Sequence, residues 1–178
     1  MSGEETPRDL TLILVRHGQA EDPGTFAAGT GSPDCDRPLT SQGVKRMKRA
    51  AKGMRELIDG VDRILTSPCT RAEQTARILA RELDHGTVER AVELAPGGDP
   101  AELTQWLAHT LSGSGGVVML VGHEPDLSRL IAWLCADSAT SLVEIKKGAA
   151  CAVYFAGTPG KGRGTILWLM SQAQLRKF

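Results

Sequence analysis

The chain has 178 residues, of which 41% are hydrophobic, enough for one domain with a full core. Its 21 Lys and Arg balance its 21 Asp and Glu, so no global field draws it to nucleic acid or to an anionic membrane, and any anion site must be local. Cys35, Cys69, Cys135 and Cys151 show no CxxC or metal-ligand spacing, and a chain of this length needs no stapling, so reduced thiols are expected.

The opening MSGEETPRD is polar and acidic, unlike a signal peptide, and no apolar run approaches about 18 residues. Residues 1–9 read as a flexible leader before a single domain over 10–178, and the expected location is cytoplasmic. Leu10 to Val15 is an apolar run that fits a strand buried on both faces. It delivers Arg16, His17 and Gly18 to its carboxyl end, where open α/β sheets place their chemistry. Gly18 lets the backbone leave the strand without a Cβ clash, freeing Arg16 and His17 to face one pocket. Taken alone, these three letters fit a strand-end Arg beside a hydrogen-bonded core His equally well.

A long loop follows over 18–39, rich in Gly, Pro and Asp, and its start at the Arg-His-Gly favours a substrate-facing flap. Thr40 predicts the N-cap of a helix reaching about Ile58, with Val44, Met47, Ala51, Met54 and Ile58 inward. Lys45, Lys48, Arg49, Lys52 and Arg55 lie off that stripe and read as a solvated face. A short strand over Arg63 to Thr66 leads to a helix start. Ser67 with Pro68 forms one candidate cap and Thr70 with Glu73 another. Either way Arg71 sits in or near the first turn, off the stripe of Ala72, Ala76, Leu79 and Leu83. A cation at that positive end is unfavourable unless an anion binds beside it.

A strand over Val88 to Leu94 passes through Pro96-Gly97-Gly98 to a helix capped by Asp99, with Pro100 at its first position and Glu102 in its first turn. Val117 to Val121 is a second apolar strand, ending in Gly122-His123-Glu124-Pro125, and Pro125 opens a helix carrying Leu127, Leu130, Ile131 and Leu134. The layout of the first strand is thus repeated. His123 alone fits a capped core histidine, but two such strands side by side would put both imidazoles in one crevice. The remainder reads as strands at Leu142 to Ile145, Ala150 to Ala156 and Thr165 to Met170, then a short helix with Leu175. The GTPGKGRG between the last two strands is hairpin-like and lacks P-loop spacing.

Two Arg and two His at strand ends and a helix start make a cationic pocket without metal-ligand spacing. Guanidinium forks match the oxygens of a dianionic phosphoryl group. A neutral imidazole can attack phosphorus in line while the other cations stabilise equatorial charge.

VRHGQA, SPCTRAEQTA, VGHEPDLSRLIAWL, ELAPGGDPAEL and WLMSQAQL, in this order, resemble the histidine phosphatase superfamily, also called phosphoglycerate-mutase-like, and within it the short SixA-type phosphohistidine phosphatases. The resemblance covers Leu12 to Leu175. It implies an α/β three-layer sandwich with a mostly parallel central sheet and helices on both faces. It implies His17 as the nucleophile that becomes phosphohistidine, with Arg16, Arg71 and His123 holding the phosphoryl oxygens, Gly18 and Gln19 beside the substrate, and no metal or organic cofactor.

Two departures bear on the substrate. Pro23 stands where many relatives carry an Asn, and the region after the third strand lacks the usual carboxylic acid, with only Glu93 and Asp99 at its edges. Asp99 reads as the helix cap, which leaves Glu93 as the candidate proton donor. A general acid helps most when an alkoxide must leave, whereas an imidazole departs readily once its nitrogen is protonated. With no insertion to cap a small molecule, the site should be open. Both features favour phosphohistidine on a protein such as a phosphotransfer domain. A phosphomonoesterase for small phosphate esters and a non-catalytic phospho-recognition module are the rivals. If little perturbed, His17 should titrate at about 6 to 7, with activity falling below that range.

Overall fold

The computed structural model describes residues 8–178, so positions 1–7 of the expected leader lie outside the described residues. Strand β1 (Leu10–Arg16) alternates between two cores. On one face Leu10, Leu12 and Leu14 pack with Leu107 of α4 (Pro100–Thr110) and Leu130 of α5 (Asp126–Ala136). On the other face Ile13 and Val15 pack with Met47 of α2 (Ser41–Met54), Leu79 of α3 (Thr70–Glu82) and Leu175 of α6 (Gln172–Leu175). A strand buried on both faces is apolar throughout, as the sequence predicts. The molecule is therefore a three-layer α/β sandwich.

The remaining strands are β2 (Arg63–Thr66), β3 (Glu89–Arg90), β4 (Gly116–Gly122), β5 (Ala150–Phe155) and β6 (Thr165–Met170), in the sheet order β3-β2-β4-β1-β5-β6. β1, β4, β2 and β3 run parallel to one another, while β5 runs antiparallel to β1 and β6 antiparallel to β5. The β1–β4 register sets Arg16 beside Gly122, so both chemistry-bearing loops leave the sheet at one place. Among the described residues no helix is long and apolar enough to cross a membrane.

Several elements differ from the sequence reading. The flap contains a helix, α1 (Pro23–Thr30), capped by the Asp22 carboxylate on the Thr25 N–H and closed by Gly31 at φ 66°, followed by a 3-10 turn over Asp34–Asp36. Asp22, Pro23 and Gly31 are the cap, first-position and closing residues a short helix uses, and the loop-like composition hid them. α2 begins after Thr40 as expected but ends at Met54, where Arg55, Glu56 and Leu57 turn back to carbonyls three residues earlier.

Neither expected cap of α3 forms. Cys69 occupies the N-cap without a side-chain bond, and the Ser67 hydroxyl accepts from the Cys69 N–H at 3.3 Å, ahead of the helix, while also bonding His123. The strand expected over Val88 to Leu94 shrinks to Glu89–Arg90, and Val92–Leu94 becomes a 3-10 turn. No strand forms at Leu142 to Ile145, since the Ile145 carbonyl accepts from Arg16 rather than from a neighbouring strand. The expectation of four reduced thiols is corrected: Cys35 and Cys69 form a disulfide, while Cys135 and Cys151 are free. The 34-residue separation hides a close approach created by the flap folding over α3.

Candidate active site

The pocket begins with the backbone at the end of β1. The His17 N–H donates to the Gly122 carbonyl at 3.1 Å, which clamps the nucleophile candidate to the end of β4. Its ring Nδ1 lies 2.8 Å from the Gly18 carbonyl, so Nδ1 carries the proton and Nε2 keeps its lone pair. Toward that lone pair Arg71 directs its Nε–H at 3.3 Å from the first turn of α3. The Gly18 N–H donates to the Thr75 hydroxyl at 3.0 Å, and that hydroxyl donates to the Arg71 carbonyl at 2.7 Å, so loop and helix are fastened together. Gly18 permits this approach to α2, because a Cβ there would sit 2.6 Å from Met47 Cγ.

His123 enters from the end of β4. Its ring centroid lies 5.1 Å from that of His17, and its Nε2 shares a 2.7 Å hydrogen bond with Ser67 Oγ. Its Nδ1 is buried without a hydrogen-bond partner among the described residues. Arg16 anchors one guanidinium nitrogen on the Ile145 carbonyl at 2.9 Å and is near enough for its charge to act on both imidazoles. Gln19 lies at the mouth, where its side-chain oxygen accepts from Arg46 at 3.3 Å. Arg16, His17, Gly18, Arg71 and His123 thus converge on one pocket with Gln19 at its edge.

Glu93 does not converge with them. It is exposed on the 3-10 turn after β3, lines a separate cavity with Gly97, Gly98 and Asp99, and makes no hydrogen bond to either imidazole. Asp99 caps α4 through the Ala101 and Glu102 N–H groups, as its place before Pro100 predicts.

Residues 12–98 match the family model of the histidine phosphatase superfamily, branch 1. The chain is 40% identical over 120 residues to an uncharacterized protein of Picosynechococcus sp., covering 66% of this chain and 68% of that one. It is 26% identical over 168 residues to phosphohistidine phosphatase SixA of Escherichia coli, covering 94% and 97%. The structure of the protein histidine phosphatase SixA complexed with tungstate matches with a TM-score of 0.78 at 27% identity, over 93% of this chain and 99% of that one. The chain belongs to the histidine phosphatase superfamily.

Burial dominates the electrostatics of this histidine phosphatase. It pushes the His17 imidazole down to about 3, with the charges of His123, Arg71 and Arg16 acting the same way against the Gly18 carbonyl. His123 falls to about 4, again chiefly through burial, then through Arg71 and Arg16. Both rings are neutral at pH 7, and the expectation of a His17 titration at about 6 to 7 is corrected.

The sequence reading missed the flap's contribution. Asp34 places its carbonyl 2.7 Å and its carboxylate 3.0 Å from the two terminal nitrogens of Arg71. Arg37, bonded to Asp34 at 2.9 Å, is the main reason that carboxyl sits below its ordinary range. The Cys35–Cys69 disulfide ties the same turn to the α3 start. Ser67 and Thr75 stood within the SPCTRAEQTA motif but carried no signal of their partners. Glu124, next to His123, is pushed upward by burial against a 2.6 Å bond from Ser128, and one of its oxygens is buried without a side-chain partner among the described residues.

Two outcomes follow from this geometry. In a 15N NMR titration, His17 is expected to keep its neutral, Nδ1-protonated form from pH 8 down to about 4, because a depressed pKa postpones protonation to more acid solution; a midpoint of 6 to 7 would contradict the burial argument. Asp34→Asn removes the anion that competes for Arg71 and is expected to tighten inorganic phosphate binding roughly three- to tenfold by calorimetry. Weaker binding would mean that Asp34 instead holds Arg71 in its useful pose.

Proposed function

We propose that this histidine phosphatase removes phosphoryl groups from phosphohistidine side chains of proteins, through a phosphohistidine intermediate on His17. The observation that carries the reading is that no carboxyl is positioned on the imidazoles: among the described residues none is hydrogen-bonded to either ring, and Asp34 is held ionised by Arg37 and Arg71. A leaving alkoxide demands a positioned acid at neutral pH, whereas a leaving imidazole takes a proton from solvent without one.

His17 Nε2 attacks phosphorus in line. The bond to the substrate's imidazole nitrogen breaks, and its electron pair stays on that nitrogen, which is then protonated. Arg71, Arg16 and His123 hold the three phosphoryl oxygens as charge spreads over them. Water attacks the phosphoryl group on His17, the bond to Nε2 breaks, and phosphate leaves, restoring the neutral ring. The hydrogen bond from Nδ1 to the Gly18 carbonyl supports this role, since it holds the ring in the tautomer that keeps the lone pair on Nε2. No metal ion or organic cofactor takes part in these steps. The matching SixA proteins, named as phosphohistidine phosphatases, support the same substrate class.

We place the protein in the cytoplasm, with a phosphotransfer domain as the kind of partner it serves. A reducing thiol pool there would open the Cys35–Cys69 bond, from the half-buried Cys35 side. Hydrolysis of small phosphate esters is the second reading, and Glu124 is the observation that favours it. Its half-buried carboxyl, adjacent to His123 and raised in proton affinity, is the acid such a leaving group would need.

The test is turnover of a phosphohistidine peptide beside alkyl and aryl phosphates, in chelator, by wild type, His17→Ala and Glu124→Gln. Strong release from phosphohistidine, lost about a thousandfold or more in His17→Ala and unchanged in Glu124→Gln, is expected. Preference for an alkyl phosphate, lost in Glu124→Gln, would establish the second reading. Binding of phosphopeptide without turnover would leave a recognition module.

A further inference from the structure

Beside the phosphoryl pocket lies an open cavity of about 400 Å³, lined by Arg16, Gln19, Arg46, Lys146, Lys147 and Gln172. Four of the six are cations and none is acidic. Arg16, which directly precedes His17, lines this trough, so the trough adjoins the candidate site. Arg46, Lys146 and Lys147 form no ion pair among the described residues, so the positive charge that lines the trough is not neutralised by a neighbouring carboxylate. Lys45, Lys48, Arg49 and Lys52 extend the unpaired charge along the exposed side of α2, which carries no acid between Ser41 and Met54.

Concentrating unpaired cations in one place is unfavourable by self-repulsion, and in a chain of zero net charge their neutralisation elsewhere would have been easy. We propose that the trough is a docking surface for acidic side chains that surround the phosphorylated histidine on a protein substrate. The inference rests on the phosphohistidine reading above and specifies which phosphohistidine proteins are preferred.

The form of the surface selects its occupant. Arg46 comes from α2, Lys146 and Lys147 from the segment before β5, and Arg16 from the end of β1. A single small anion is held best by a buried, preorganised fork, as Arg71 provides in the pocket. Lys146 and Lys147 are instead exposed, flexible ammonium groups that spread positive charge over an open face. That arrangement suits several carboxylates distributed over a protein surface and acts mainly on encounter. Gln19 accepts from Arg46 through its oxygen, which holds Arg46 at the trough beside Arg16.

The experiment compares two phosphohistidine peptides with the same P–N bond, one flanked by three Asp or Glu and one with Ser at those positions, together with an aryl phosphate. Wild type is expected to show a kcat/KM roughly tenfold higher for the acidic peptide at low ionic strength, the advantage fading as salt rises. In the triple variant Arg46→Gln, Lys146→Gln, Lys147→Gln that ratio should fall to near one, through KM, with kcat and aryl phosphate turnover held within about twofold. A ratio preserved in the variant, or absent in wild type, overturns the docking surface and leaves the phosphohistidine reading standing. A small bisphosphate preferred over the acidic peptide overturns the protein origin of the anion. Turnover of the aryl phosphate but of neither peptide overturns both proposals together.

Discussion

The parallel pairing of β1 with β4, in the register that sets Arg16 beside Gly122, is the constraint on which the pocket depends. A slip of one residue would send alternate side chains to the wrong core, so Leu12 and Leu14 against one layer and Ile13 and Val15 against the other hold that register firmly. With it fixed, the His17 N–H meets the Gly122 carbonyl and the two imidazoles face each other at 5.1 Å. The cores on the two faces of the sheet are therefore what aims the chemistry at its edge.

Burial has a second consequence. A His17 exposed to water would be partly protonated near neutral pH and unable to attack; removed from water and surrounded by guanidinium groups, it stays neutral. The same cations that depress its proton affinity are those available to a phosphoryl group. The pocket thus favours a neutral base beside an anion-binding wall, and the Thr75 link between Gly18 and Arg71 keeps the two in step. Asp34 supplies a counter-charge in the free protein, brought there by a flap that its own carbonyl and carboxylate hold to Arg71 on α3.

Most of the scaffold, and the strand ends and helix start that carry Arg16, His17, Arg71 and His123, were legible in the sequence, because each depends on local pattern. The apolar runs ending in Arg16-His17-Gly18 and Gly122-His123 announce buried parallel strands, and Thr40 and Asp99 announce helix starts that form as expected. What the sequence hid depends on contacts distant in the chain. Ser67 reads as a cap, with no sign that β4 brings His123 within 2.7 Å of the same hydroxyl. Asp34 and Cys35 read as loop residues until the flap folds onto α3, and Leu142 to Ile145 reads as a strand until Arg16 takes the Ile145 carbonyl. The pKa of His17 is likewise a property of its surroundings, which no residue list contains.

The central claim is that phosphoryl transfer passes through His17 Nε2. It is tested most directly by rapid acid-free quenching during turnover of a phosphohistidine peptide, followed by 31P NMR and peptide mass spectrometry of the protein. The account predicts one base-stable, acid-labile phosphoryl group on Nε2 of His17, appearing and decaying at rates consistent with turnover. Turnover with no phosphoryl group on the protein, or with one on His123, would contradict it.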